Sequence, residues 1–271
     1  MSRKLGLAHL TLEEASLEDL VAAAAETGFS AIGMRICGFA PEEDSVGLLG
    51  IVSRQRALRR RMDDTGISML NVCSFRLSAS IAPADYAPVI DACAELGAPI
   101  ILLTCFVADP AARSDKLAAL AERAGRAGIR IGLEFFRSSE LRNLAQAEAL
   151  RRSNPDHIGH IMDALHFFRA GHCVADLASL DPGAVFGIQI CDGPALAPSD
   201  ELLRAEIRDR RLPGEGELPL SDFIAALPAH LPLEIECPVR AHAGLPLVER
   251  ARRAWQAGNF FLNDLARGGR R

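Results

Sequence analysis

Four side chains in this sequence have the type and placement to do chemistry: Glu134, Asp163, Gln189 and Glu236. Each stands at or near the C-terminal end of a short apolar run, over residues 129–136, 158–163, 184–190 and 233–237. An apolar strand that ends in an acid or amide is not plain core, because a buried carboxylate is costly unless it is paired or holds a cation. Four oxygen-bearing side chains on four strands form a donor set for one divalent metal. Asp163 and His166 add a D-x-x-H pattern. His166 could act as general base, as a donor to substrate or as a partner of the metal site. A satisfied structural histidine is the plain alternative. Arg35, Arg137 and Arg211 are candidate hooks for an anionic substrate, since guanidinium grips carboxylate or phosphate bidentately. His9, closing the first apolar run, is a candidate pocket residue. Glu234 lies two residues before Glu236, so both face the same side of one strand and one must lie deeper. With Glu236 taken as the ligand, Glu234 is expected to pair instead with a buried cation such as an arginine. Asp192 is either an orienting residue for a ligand or loop or a plain turn residue.

Positioning these groups requires strands, and eight strand candidates occur at residues 5–9, 31–36, 67–73, 100–104, 129–136, 158–163, 185–190 and 233–237. They alternate with helical stretches at a spacing of about thirty residues, the length of one βα unit. Most are continuously apolar, as strands covered on both faces should be. Ser16 and Gly28 bracket the first helix as N-cap and C-terminal glycine. Pro83 and Gly97 bracket another, and Pro110 and Gly128 a third. A further helix is expected from Ser139 through Leu150, with Pro155 beyond it, then short and long helices over residues 219–227 and 245–265. The pattern predicts a single (β/α)8 TIM barrel spanning residues 1–271. A doubly wound sheet shares the alternation, but no G-x-G-x-x-G follows the first strand. The longest connection lies between Cys191 and Pro219, and long loops in compact domains usually serve function.

The bulk properties narrow the classes. A formal net charge of -5 gives the whole molecule no electrostatic reason to hold nucleic acid. The basic clusters at residues 56–61 and 208–211, and the tail carrying Arg267, Arg270 and Arg271, are local and read as solvated faces. No apolar run approaches the roughly 20 residues of a membrane span, and the N-terminal residues lack a secretory pattern. Seven cysteines with no C-x-x-C spacing read as free thiols in a reducing cytoplasm.

Taken in order, the motifs resemble the xylose-isomerase-like TIM-barrel superfamily, in its sugar phosphate isomerase/epimerase branch. Gly132-Leu133-Glu134 resembles the fifth strand with its metal-binding Glu. Met162-Asp163-Ala164-Leu165-His166 resembles the sixth-strand D-x-x-H. Ile188-Gln189-Ile190-Cys191-Asp192 falls at the seventh strand, Leu212-Pro213-Gly214-Glu215-Gly216 at the P-G-x-G loop, and Ile235-Glu236-Cys237-Pro238 at the eighth-strand Glu. Gln189 stands where the family usually has His, as in some 3-dehydroshikimate dehydratases. An amide oxygen still ligates a hard cation but attracts zinc less. The resemblance therefore implies one divalent ion, Mn2+ or Mg2+ first and Co2+ or Zn2+ behind them.

By the same resemblance, Glu134 and Glu236 bind the metal and face two sides of a substrate carbon, one removing a proton and the other returning it. The expected activity is a sugar or hydroxy-keto isomerase or epimerase working through an enediolate. The alternative is a lyase on a cyclic keto acid, with His166 as base. An Arg before the P-G-x-G loop is common in such proteins, which favours Arg211. The expected substrate is a small polar molecule, and homo-oligomers are common among such barrels. An endonuclease IV-like repair enzyme would need further histidines, which the ends of the third and fourth strands lack. A metal-free binding barrel would not need four oxygen ligands.

Overall fold

The computed structural model describes residues 3–44, 46–153 and 157–268. Its strands are β1 (Leu5–Ala8), β2 (Ala31–Met34), β3 (Ser68–Ser78), β4 (Ile100–Phe106), β5 (Arg130–Leu133), β6 (Ile158–Asp163), β7 (Val185–Ile190) and β8 (Leu233–Ile235). They close into one parallel barrel in sequential order, with β8 pairing back onto β1. The helices are α1 (Leu17–Thr27), α2 (Val52–Thr65), α3 (Ala87–Leu96), α4 (Pro110–Arg126), α5 (Leu144–Ser153), α6 (Ala164–Arg169), α7 (Asp200–Glu206), α8 (Leu220–Ala225) and α9 (Leu247–Ala266). This is the TIM barrel that the alternation implied. β1, β2 and β6 are buried at every position, as strands between a filled interior and a helical shell must be.

Local chemistry sets the helix ends. The Ser16 hydroxyl accepts the Asp19 N–H at 3.0 Å, and Gly28 closes α1 at φ 99°, where a side chain would be strained. The helix expected from Ser139 begins instead at Leu144. The Ser139 hydroxyl bonds Leu141 O at 2.6 Å and accepts Leu141 N–H at 3.1 Å, closing a turn. Asn143 takes the capping role by accepting Gln146 N–H at 3.0 Å. Pro155, Arg270 and Arg271 lie outside the described residues.

Two departures in the strands matter for the site. β3 runs on past the expected end at residue 73, because Phe75–Ser78 pair with Leu103–Phe106 of β4 after a register shift. β5 and β8 stop one residue before Glu134 and Glu236. The two backbones still follow the ladder there: Glu134 N–H donates to Leu103 O at 3.0 Å and Glu236 N–H to Ile190 O at 3.2 Å. Their carboxylates consequently stand at the rim and not within the packed layers. No helix among the described residues is long and apolar enough to cross a membrane.

Candidate active site

A cavity of about 370 Å³ opens at the C-terminal mouth of the barrel, lined among others by Arg35, Arg76, Glu134, His166, Arg210 and Glu236. Single atoms of Glu134, Asp163 and His166 lie within 4.8 Å of one another. Asp163 ends β6 and caps α6, with Oδ1 accepting His166 N–H at 2.9 Å. That cap fixes the imidazole one turn above the strand. The His166 ring tilts against Phe136 at a centroid distance of 5.2 Å.

One guanidinium organises the acids. Arg210 is buried; its Nη1 donates to Asp163 Oδ2 at 2.7 Å and to Glu236 O at 3.1 Å. Its Nη2 lies 2.9 Å from Glu236 Oε2, an ion pair without the alignment of a hydrogen bond. Gln189 Nε2 donates to Glu236 Oε1 at 3.3 Å, while Gln189 Oε1 is buried with no partner. Glu234 sits deeper, where Oε2 accepts from Asn71 Nδ2 at 2.8 Å. The expected arginine partner of Glu234 is thus replaced by an amide. Gly33 of β2 leaves the space, since a Cβ there would overlap the Glu234 carboxylate.

The charge balance of this cluster is uneven. Burial, then the neighbouring Glu236 and Asp163, push the Glu134 carboxyl well above its usual range. Burial also raises Glu236, to about 7, against the pull of Arg210. Glu234 is raised to about 8 by burial and by Glu236. Burial acts upward on Asp163 too, but the charge of Arg210 and the contacts with His166 outweigh it and hold Asp163 low. His166 is pushed down to about 4 by burial, so its imidazole is neutral at pH 7. Four buried carboxyl groups thus share one buried guanidinium, and burial and crowding favour the protonated form of three of them; a divalent cation would complement their ionised forms. The unpartnered Gln189 oxygen and the hard carboxylates fit such an ion.

Glu134, Asp163, Gln189 and Glu236 come to one mouth, and His166 and Arg35 face the same cavity. Three expected substrate residues do not line it. His9 is a structural link: Nε2 lies 3.0 Å from Ala15 O, and Nδ1 accepts Arg35 N–H at 3.1 Å. Arg137 turns outward to Asp200 at 2.8 Å. Arg211 is exposed, and its backbone forms a two-way bridge with Asp192. The neighbouring Arg210 enters the barrel instead, because successive residues of an extended segment point to opposite sides. Two adjacent arginines gave no means of telling which would turn inward. Asp192 orients the loop: its carboxylate accepts N–H groups of Gly193, Gly214 and Leu218 at 2.8, 3.1 and 3.1 Å. Arg76 was missed, since it lies on the unexpected extension of β3. Its guanidinium lies 4.0 Å from the Phe39 ring centroid and 4.8 Å from that of Phe106.

A closed parallel barrel with its acids gathered at the C-terminal mouth has the layout of a TIM-barrel enzyme. The model of the xylose isomerase-like TIM barrel family matches residues 21–258, and the chain belongs to that family. It is 30% identical over 190 residues to a 3-dehydroshikimate dehydratase of Pseudomonas aeruginosa, covering 64% of this chain and 29% of that relative. The chain thus spans less than a third of the length of this curated relative. A solved xylose isomerase-like TIM barrel/4-hydroxyphenylpyruvate dioxygenase fusion protein superposes with a TM-score of 0.80 at 22% identity, over 98% of this chain and 43% of that one. A D-allulose 3-epimerase from Methylomonas sp. superposes with a TM-score of 0.68 at 15% identity, over 96% and 98% of the two chains.

Proposed function

We propose that this barrel is a metal-dependent carbon–oxygen lyase that removes water from a small cyclic hydroxy-keto acid. The observation that carries the reading is the neutral His166 ring beside Glu134 and Asp163, facing a cavity with a cationic rim. A cavity of about 370 Å³ suits a compact ligand. The similarity to a 3-dehydroshikimate dehydratase supports the same substrate class.

Glu134, Asp163, Gln189 and Glu236 would hold the metal. When bound, a divalent cation supplies a Lewis acid that favours negative charge on a carbonyl oxygen. Arg76, held between Phe39 and Phe106, would grip the substrate carboxylate at the rim. His166 would take the proton from the carbon next to the carbonyl. The C–H electron pair passes into a carbon–carbon double bond and onto the carbonyl oxygen. Its return expels the hydroxyl from the adjacent carbon, and the proton held by His166 joins it, so water leaves. Arg210, bound to Asp163 and Glu236, keeps those two carboxylates in place.

The second reading is an isomerase or epimerase of a sugar or hydroxy-keto compound, which shares the first step and then returns the proton. It is favoured by Glu134 and Glu236, which reach one cavity from the ends of β5 and β8. The test is incubation with Mn2+ or Mg2+ in deuterated water, with 3-dehydroshikimate and, separately, with a set of keto sugars. A lyase yields the ultraviolet absorbance of an aromatic product, and His166→Ala lowers that rate by about a hundredfold or more. Solvent deuterium in recovered keto acid or keto sugar without absorbance would support the isomerase. Neither signal from either substrate class would overturn both readings.

A further inference from the structure

Glu234 has no part in the chemistry described above, yet it is a buried carboxylate two residues from a proposed ligand and anchored by Asn71. Gln189 poses a problem that a histidine at this position would not. Only the oxygen end of an amide can ligate a cation, and the NH2 end carries donors alone. A rotation of the amide by half a turn would present protons to the metal. The two ends are nearly equal in size, so packing cannot choose between them; hydrogen-bond partners must.

We infer that Glu234, braced by Asn71 and given room by Gly33, is a positioning residue that holds the Gln189 amide with its oxygen toward the metal. Gln189 and Glu234 are register partners on β7 and β8, so their side chains leave the sheet together on the interior face. The Gln189 NH2 group donates to Glu236 at only 3.3 Å, and Glu236 is itself one of the four proposed ligands. Glu234 is the neighbouring buried acceptor not committed to a cation. Glu234 Oε1 is buried with no hydrogen-bond partner, and so is Gln189 Oε1; an NH2 end turned toward Glu234 Oε1 satisfies that acceptor and leaves the amide oxygen free for the cation. Asn71 Nδ2 at 2.8 Å fixes the other Glu234 oxygen, so the carboxylate cannot swing away.

The inference rests on the metal-site reading above and is tested by Mn2+ affinity, measured by titration calorimetry and by electron paramagnetic resonance of free Mn2+. In the parent protein, Glu234→Ala weakens Mn2+ binding by about tenfold or more, the usual effect of losing a group that orients a ligand. Asn71→Ala weakens it in the same direction by less, and serves if Glu234→Ala fails to fold. In a Gln189→His background the same two changes alter Mn2+ affinity by less than about threefold, because an imidazole ligand has no amide to orient. Parent-like affinity in both Glu234→Ala and Asn71→Ala, or an equal loss in the Gln189→His background, overturns the inference while leaving the metal site standing. A parent protein that binds no Mn2+ would refute the metal site itself, and this inference with it.

Discussion

Arg210 does the most at the residue scale. It is the one cation buried among Glu134, Asp163, Glu234 and Glu236 in the described residues. Removing one partner of a buried ion pair leaves uncompensated charge. Arg210→Met is therefore expected to cost about 3 kcal/mol in the metal-free protein, read from denaturant unfolding. Arg76 and Arg211 make a sharper comparison. Arg76→Ala should raise KM for a carboxylate substrate by about tenfold or more, the worth of one charge-assisted contact, whereas Arg211→Ala should leave KM unchanged. Equal effects would mean that the cavity has been misplaced. The placement of Glu134, Asp163, Gln189 and Glu236 at the barrel mouth was legible in the sequence because each ends an apolar run, a pattern that core packing alone does not produce. The choice between Arg210 and Arg211 was not legible, since it depends on which way an irregular segment faces. His9 looked like a pocket residue only because its strand was expected to be one residue longer; the turn that starts there uses both ring nitrogens.

Element boundaries decide which side chains reach the mouth. β6 and β7 ended where their apolar runs ended, and the helices bounded by Ser16, Gly28, Pro110 and Gly97 kept those limits. β3 did not, because its last four residues are held by pairing with β4 across a register shift, a long-range contact that no local pattern encodes. That extension carries Arg76 to the rim. β2 contributes absence: Gly33 vacates the space that the Glu234 carboxylate fills. Gly33→Ala should force Glu234 or Asn71 to move and destabilise the fold by about 1–3 kcal/mol, measurable as a lower denaturant midpoint. A neutral Gly33→Ala would show that the interior has slack.

Over the whole molecule, the shell is tied to the barrel by a buried polar link whose pH response can be worked out. His160 on β6 lies 2.7 Å from Glu148 of α5, which also binds Arg151 and Arg152. Burial holds the His160 pKa below 6.5, so the unfolded chain takes up a proton there more readily than the native one. That difference removes stability as pH falls below 6.5. The Arg151 hydrogen bond, with those from His160 and Arg152, holds Glu148 below 4.5; its contribution is present above that pH and is lost as pH falls further. Both lower what this link contributes as pH falls, whereas the raised carboxyls of Glu134, Glu234 and Glu236 gain stability over the same range. The link is therefore read by difference: the Tm of the parent minus that of His160→Gln should shrink from pH 7 to pH 5. A difference that grows on acidification would contradict this.

The central claim is that one divalent ion sits where β5, β6, β7 and β8 end. It is tested most directly by metal analysis of protein loaded with Mn2+ and freed of excess ion. One equivalent per chain is expected, falling well below that in Glu134→Gln at the same concentration. Loaded protein with no stoichiometric ion, or Glu134→Gln retaining a full equivalent, would contradict the account.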